Sequence, residues 1–218
     1  MSADYEMLYG DTNRLLKIKA QAGDKVIIEA GAMAAMNPNF EIKSKAGSVG
    51  KAIGRLFSGT SAFLQEYVAK SYGEILVAPK YLGDIKAVNM DGSVKYRLGK
   101  SSFLASTDKI NLNIKSGGGR GFLSGEGFIQ IEAEGSGTLF LSAYGAIHEI
   151  NLAQGEKYIV DTNHLVLWES NMNYSVELLN GLFGSITGGE GLVCVFEGPG
   201  KMFIQSRDPS KMATGKSS

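Results

Sequence analysis

Residues 123–129 read LSGEGFI and residues 137–141 read GTLFL. Similar stretches return 63 residues further along the chain, as ITGGEGLV at 186–193 and GKMFI at 200–204. A looser copy, FSGTSAFL, stands earlier at 57–64. Self-similarity at a fixed spacing indicates repeated supersecondary units that bury their apolar faces against each other. The sequence therefore predicts a chain that contains about the same unit three times.

Short segments between these stretches favour strands over helices. In 110–115 the apolar residues Ile110, Leu112 and Ile114 alternate with polar ones, which is typical of a half-buried strand. A matching series can be found in each copy. The matching segments are 26–29, 94–98 and 158–160; then 33–36, 103–106 and 165–168; then 40–43, 110–115 and 174–178.

The turns are rich in glycine, as short antiparallel strands require. Gly23, Gly92 and Gly155 each stand beside a polar residue before a predicted strand, which favours hairpin connections. Gly-Pro-Gly at 198–200 predicts a type II turn in a hairpin between the last two strands. Gly-Ser-Gly at 135–137 is expected to do the same in the second copy.

We therefore predict an all-β fold with three tandem, similar units, each a small sandwich or short barrel. The expected boundaries are 1–85, 86–151 and 152–208, followed by a flexible tail at 209–218. Small units in a row leave unpaired sheet edges. Closing the row into a ring by symmetric association is the simplest way to cover them.

Composition excludes some functions and constrains others. The chain has 218 residues, of which 44% are hydrophobic, and its 22 Lys and Arg balance its 22 Asp and Glu. A net charge of +0 provides no overall attraction for nucleic acid or for an anionic surface. The single cysteine, Cys194, lies in an apolar run and is expected to be a small buried hydrophobe in a reducing compartment. No signal peptide or membrane-spanning stretch is evident, so a cytoplasmic location is expected.

Catalytic groups are scarce. His148 and His164 stand in separate copies without metal-ligand spacing, and structural roles are expected for both. Asp161 could orient His164, but no nucleophile stands beside them. Glu126 and Glu190 match in position and are interpreted as turn residues. We predict a protein that is not an enzyme and that holds no cofactor or metal; a cupin-like metalloenzyme lacks ligands.

Two loops are candidates for contact with a partner. The segment 117–122 reads GGGRGF and lacks the ending of a phosphate-binding loop, so a long hairpin loop is favoured, with contact through Arg120 as the alternative. The segment around Lys51, Arg55, Leu56 and Phe57 is basic and apolar, and the other copies do not match its charge. A segment unique to one repeat often marks the functional face of an array.

RNA binding by a ring would need the same cation or aromatic residue in every repeat. Lys43 and Lys115 align, but Glu177 takes that position in the third copy. Nucleic acid is therefore not an expected partner.

Three stretches of the third copy carry a family resemblance. They are VDTNHLV at 160–166, SITGGEGLV at 185–193 and FEGPGKMFIQSR at 196–207. With GRLFSG at 54–59 they resemble the family of altered-inheritance-of-mitochondria (mitochondrial biogenesis) proteins and its prokaryotic relatives. The resemblance implies three domains with the fold of the tryptophan RNA-binding attenuation protein, a shortened double-stranded β-helix. It also implies homotrimers, in which three chains of three domains each form a ring with nine-fold pseudo-symmetry.

These observations favour a non-enzymatic scaffold. The predicted protein is a homotrimeric β-ring whose loops bind a protein or membrane partner, with Lys51, Arg55, Leu56, Phe57 and Arg120 as possible contacts. The alternative is a ring that binds a small ligand or RNA at the clefts between domains. Fold alone does not decide between the two.

Overall fold

The structure, a computed structural model, describes residues 4–10, 13–44, 64–116, 129–179 and 191–212. Within these ranges the chain forms antiparallel strands and two short 3-10 helices, so the all-β prediction is confirmed. The strands are β1 Asp4–Leu8, β2 Leu15–Ala20, β3 Lys25–Glu29, β4 Met33–Met36, β5 Phe40–Ser44, β6 Leu64–Ala69, β7 Gly73–Val77, β8 Ile85–Asp91, β9 Tyr96–Leu98, β10 Phe103–Thr107, β11 Ile110–Ser116, β12 Ile129–Ser142, β13 Ile147–Leu152, β14 Lys157–Asp161, β15 Leu165–Glu169, β16 Asn173–Leu178, β17 Leu192–Glu197 and β18 Gly200–Gln205. The 3-10 helices are Thr162–His164 and Pro209–Lys211.

Two strands organise the first part of the chain. β7 lies between β2 and β4, and β6 lies between β3 and β5, all in antiparallel pairs. β1 adds to the other side of β2. Consecutive strands such as β2 and β3 therefore lie in different sheets.

In the middle of the chain, the single strand β12, of 14 residues, takes the central positions that β6 and β7 hold in the first part. The first half of β12 pairs with β9 and β11, and the second half pairs with β8 and β10. The halves meet at Gly135 and Gly137, whose φ angles are +114° and +145°. A Cβ at Gly135 would lie 2.1 Å from the Lys109 carbonyl oxygen, so only glycine fits this close approach.

The last part repeats the arrangement with separate strands. β18 lies between β13 and β15, and β17 lies between β14 and β16. Two further pairs, β3 with β10 and β9 with β15, join the three parts. They create a sheet of 11 strands flanked by sheets of four and three strands.

The predicted hairpins at the glycine turns are wrong. Gly23, Gly92 and Gly155 do have φ angles of +90°, +91° and +76°, as tight turns require. The strands on either side do not pair with each other, however, and the same is true across 198–200. Residues 135–137 belong to the continuous strand β12 instead of a turn. Turn chemistry bends the chain locally, whereas the burial of apolar faces decides which strands pair.

The buried apolar residues form three clusters, two of which combine residues from different parts of the chain. The first cluster centres on Leu16, Ile28 and Tyr67, and the second on Leu98, Leu139 and Leu141. In the third, the ring of the buried Trp168 packs edge-on against Phe196, 5.8 Å between centroids. Edge-to-face packing adds to the stabilisation from burial.

The first residues of the predicted tail form a 3-10 helix. Asp208 precedes the 3-10 helix Pro209–Lys211 and accepts a hydrogen bond of 2.8 Å from the Ser210 backbone N–H. Residues 213–218 of the predicted tail lie outside the described residues.

Candidate functional site

Two inner strands of the large sheet are covered completely. β10 lies between β12 and β3, and β15 lies between β18 and β9. Their central residues are fully buried: Leu104, Ala105, Val166 and Leu167 expose no surface. An apolar strand paired on both sides has this burial pattern.

Two other strands with similar apolar sequences are uncovered. Within the described ranges β4 pairs only with β7, and Ala34 and Ala35 are exposed. β14 pairs only with β17, and Tyr158 and Ile159 are 43% and 39% exposed. An edge strand that exposes apolar side chains can pair with a further strand along its unpaired side.

A further exposed apolar residue lies on β5, the strand that follows β4 in the chain. Ile42 on β5 is 45% exposed and stands opposite the buried Tyr67 in the register of β5 with β6. Ile42, Tyr158 and Ile159 are β-branched or aromatic residues, which are favoured in paired strands. Their exposure makes β5 and β14 candidate surfaces for contact.

The pair β9–β15 shows what covers such a surface inside the chain. Gln130 is fully buried, and its Nε2 donates a hydrogen bond of 2.7 Å to the Tyr174 hydroxyl oxygen. Arg97 donates a second bond of 2.9 Å to the same oxygen. This cluster lies beside Trp168, which packs edge-on to Tyr174. Buried polar groups that share partners in this way fix one arrangement of the strands.

A cleft opens where β3 meets β10. It has a volume of about 430 Å³, with Ile18, Ala20 and Val26 as apolar lining. Its charged lining is mixed in sign and comprises Asp4, Lys19, Asp24, Lys25, Asp108 and Lys109. Sites for small ligands are commonly clefts of this size.

The groups singled out for chemistry have structural surroundings. Burial raises the pKa of the Cys194 thiol to about 12, in agreement with the predicted buried cysteine. His164 Nδ1 lies 2.7 Å from the Gln205 carbonyl oxygen. Asp161 accepts a hydrogen bond from the Asn163 backbone N–H, so its described contact caps a 3-10 helix instead of orienting His164. His148 is exposed on β13.

Two features are absent from the described ranges. Among those residues, no group of three or more His, Cys, Asp and Glu could hold a metal ion. The helices found there are too short or too polar to cross a bilayer.

The predicted partner contacts lie outside the described residues. These are Lys51, Arg55, Leu56, Phe57 and Arg120. The strands before and after these segments are described: β5 pairs with β6, and β11 pairs with β12. The turn residues Glu126 and Glu190 also lie outside these ranges.

The sequence reasoning missed Ile42, Tyr158 and Ile159. Apolar residues in a strand pattern are normally read as core, and alternation does not reveal which strands lack a neighbour. The only signal in the sequence was the predicted repeat. The first and last copies of any row must each have an uncovered side.

The pairing of short antiparallel strands into three sheets defines an all-β protein. The chain belongs to the Mitochondrial biogenesis AIM24 family, whose profile matches residues 5–207. Over 209 residues it is 29% identical to an uncharacterized protein of Streptococcus pyogenes serotype M6. The alignment covers 91% of this chain and 84% of that relative. The crystal structure of a Streptococcus pyogenes protein is similar, with a TM-score of 0.77 and 28% identity over 94% of each chain.

Proposed function

We propose that the protein is a non-enzymatic scaffold. Three chains, each with three tandem β units, associate head to tail into a closed ring that binds a protein or membrane partner through its loops. The observation that carries the proposal is that β4 and β14, which end different sheets and expose apolar residues, each have one described neighbour.

The pairing pattern supports three tandem units of the attenuation-protein type. Without β1, each part of the chain has six strand positions, and in the middle part the two halves of β12 fill the fifth and the sixth. The sixth strand lies between the first and the third, and the fifth lies between the second and the fourth. The same pattern holds for β2–β7, β8–β12 and β13–β18. On this division the boundaries lie in the connectors near Gly83 and Gly145, and β13 belongs to the third unit. Homologous units produce such repetition.

The junctions between the units also repeat. The second strand of one unit pairs with the third strand of the next, as β3 does with β10 and β9 does with β15. The register is the same: Ile28 lies opposite Ala105, and Leu98 lies opposite Leu167. A junction that occurs twice inside the chain is a template for a junction between chains.

β14 corresponds to β9 in this scheme. Leu98 of β9 pairs with Ile131, and Val160 of β14 pairs with Cys194, which stands 63 residues after Ile131. β14 is the second strand of the last unit and has no following unit in its own chain.

β4 is the third strand of the first unit and has no preceding unit. If the junction between two chains has the same register as the junctions within the chain, β14 lies beside β4 of a neighbouring chain. Val160 then stands opposite Ala35, and Ile159 stands opposite Met36. The exposed apolar side chains on both strands then become buried, which stabilises association. The number of three chains follows the trimers that the family resemblance implies.

The mass of the protein in solution tests this proposal. We expect particles of three chains of 23.2 kDa each. Ile159→Glu buries a charge in each junction, and we expect it to weaken association at least about 100-fold. Because Ile159 is already partly exposed, its unit still folds.

Leu82→Glu is the matched control. Leu82 is 73% exposed but stands on a connector, away from β4 and β14. It should leave the mass unchanged. A wild-type protein that is monomeric at micromolar concentration contradicts the proposal.

A second candidate function is favoured by one observation. The cleft of about 430 Å³ lies at the β3–β10 junction, where a ring that binds a small ligand or RNA would place its site. Retention of labelled RNA or of a metabolite by the purified protein, abolished by Lys25→Glu with Lys109→Glu, would support it. Failure to retain any across a broad screen would retire it.

A further inference from the structure

The connectors between the units converge on one face of the molecule. The turn after β1 is tied to the β7–β8 connector by a hydrogen bond of 3.3 Å from the Arg14 N–H to the Gly83 carbonyl oxygen. The β12–β13 connector follows, with the Gly145 N–H bonded to the Leu82 carbonyl oxygen at 3.0 Å. The chain after β18 completes the series, since the Arg207 N–H bonds to the Tyr144 carbonyl oxygen. We name this surface the connector face.

The connector face exposes large apolar side chains. Tyr9 is 75% exposed on the turn after β1, and Leu82 is 73% exposed on the adjoining connector. Exposed apolar side chains that lie together on one surface mark sites of contact with proteins or membranes. Each stands on a turn instead of a strand, so neither belongs to the edges proposed for ring closure.

Cations and aromatic rings alternate beside them. The Lys80 ammonium lies 5.3 Å from the centre of the Tyr81 ring, and the Tyr81 ring lies 5.8 Å from that of Tyr144. The Arg207 guanidinium lies 5.9 Å from the Tyr144 ring. Lys80 and Arg207 are both exposed. Lys80 also interacts electrostatically with the Glu29 carboxyl, whereas Arg207 makes no ion pair among the described residues. Amphipathic rings beside exposed cations are typical of surfaces at a membrane interface.

A small pocket of about 160 Å³ adjoins Tyr81. It is lined by one cation, Lys100, together with hydroxyl and amide side chains, and by no carboxylate. The other lining residues are Tyr81, Ser101, Thr162, Asn163, Pro209 and Ser210. This donor-rich lining suits a phosphate group.

The carboxylates nearest to this pocket are already engaged. Asp161 and Asp208 accept hydrogen bonds from the backbone N–H groups of Asn163 and Ser210. Further along the face, Asp84 pairs with Arg14 at 2.9 Å. Lys100 and Arg207 form no ion pair among the described residues, so these two cations of the face are available to an anionic partner.

We propose that the connector face docks on an anionic phospholipid bilayer, with the phosphate of one lipid in the Lys100 pocket and Tyr9 and Leu82 at the level of the headgroups. Each cation near such a surface contributes about 1 kcal/mol, which is weak for a single chain. Three copies of the face in a ring multiply the attraction through effective concentration. This inference rests on the proposed scaffold function and names its partner.

The test is flotation of the full-length protein with phosphatidylcholine vesicles, with and without phosphatidylglycerol. We expect binding only to the anionic vesicles and loss of binding at high salt. Lys100→Glu with Arg207→Glu should reduce the partition coefficient at least about tenfold. Leu82→Ser should reduce it by about threefold or more.

Lys43→Glu with Lys70→Glu is the matched control. It reverses two exposed cations, on β5 and on the turn after β6, that belong to no proposed site, and it should leave binding unchanged. Equal binding to both vesicles, equal loss in the control, or binding of inorganic phosphate without recruitment to vesicles would each overturn the inference. The mass of each sample is measured in parallel: a trimer that ignores anionic vesicles overturns this inference alone, and a monomer overturns the ring.

Discussion

Glu29 is the residue whose ionisation the fold opposes most clearly. It ends β3, and burial raises the pKa of its carboxyl from 4.5 to about 7, with Lys80 limiting the increase. The unfolded chain binds fewer protons than the folded chain between these two values. The folded state is therefore destabilised as the pH rises through this window, by up to about 3 kcal/mol.

Glu29→Gln removes this cost. Below pH 4.5 the variant and the wild type should be about equally stable, because the carboxyl is protonated in both states. Above pH 7 the variant should be more stable, by an amount that grows across the window. Denaturant unfolding at several pH values measures this difference at a fixed protein concentration. A difference that does not change with pH contradicts the account.

At the same scale, sequence reasoning identified Cys194 correctly and missed Ile159. Both residues lie in apolar strand segments, and composition gives no reason to treat them differently. Cys194 is buried because β17 has neighbours on both sides, whereas Ile159 is exposed because β14 has one described neighbour. Exposure here is a property of pairing, which depends on residues far away in the chain.

At the scale of elements, β12 joins two sets of strands, and its two halves meet at Gly135. Its halves pair with different strands, and Gly135 lets the chain bend against the Lys109 carbonyl oxygen. Gly135→Ala should destabilise the protein by roughly 2 kcal/mol or more, because a Cβ would lie 2.1 Å from that backbone atom and φ is +114°.

Gly31→Ala separates the two causes. Gly31 also has a positive φ, +86°, but nothing lies within 4 Å of the added Cβ. Its cost should be limited to the strained backbone, about 1 kcal/mol. Urea unfolding of both variants measures the difference. Equal losses would mean that the close approach at Gly135 does not matter.

Strand positions were predictable, and strand partners were not. The alternation in 110–115 predicted β11, and the apolar segment 103–106 predicted β10. The turns at Gly23 and Gly155 were predicted as hairpins because such turns usually join paired strands. Here they carry the chain between sheets, since β2 and β13 bury their apolar residues against β7 and β18.

At the scale of the whole molecule, one junction recurs. β3 with β10 and β9 with β15 share a register, and the proposed contact of β14 with β4 extends it between chains. The strength of each contact is modest, because four-residue to five-residue strands bury little surface. Closure of a ring leaves neither strand uncovered, which favours a defined oligomer over open chains.

Disulfide cross-linking between chains tests this register most directly. With Met36→Cys and Ile159→Cys in one chain, oxidation should produce covalent oligomers of up to three chains, because opposed residues in paired strands are close enough for a disulfide. With Met36→Cys and Tyr158→Cys, one residue out of register, cross-linking should be much weaker. The native Cys194 is buried and should not interfere. Equal cross-linking of both pairs, or monomers only, would contradict the account.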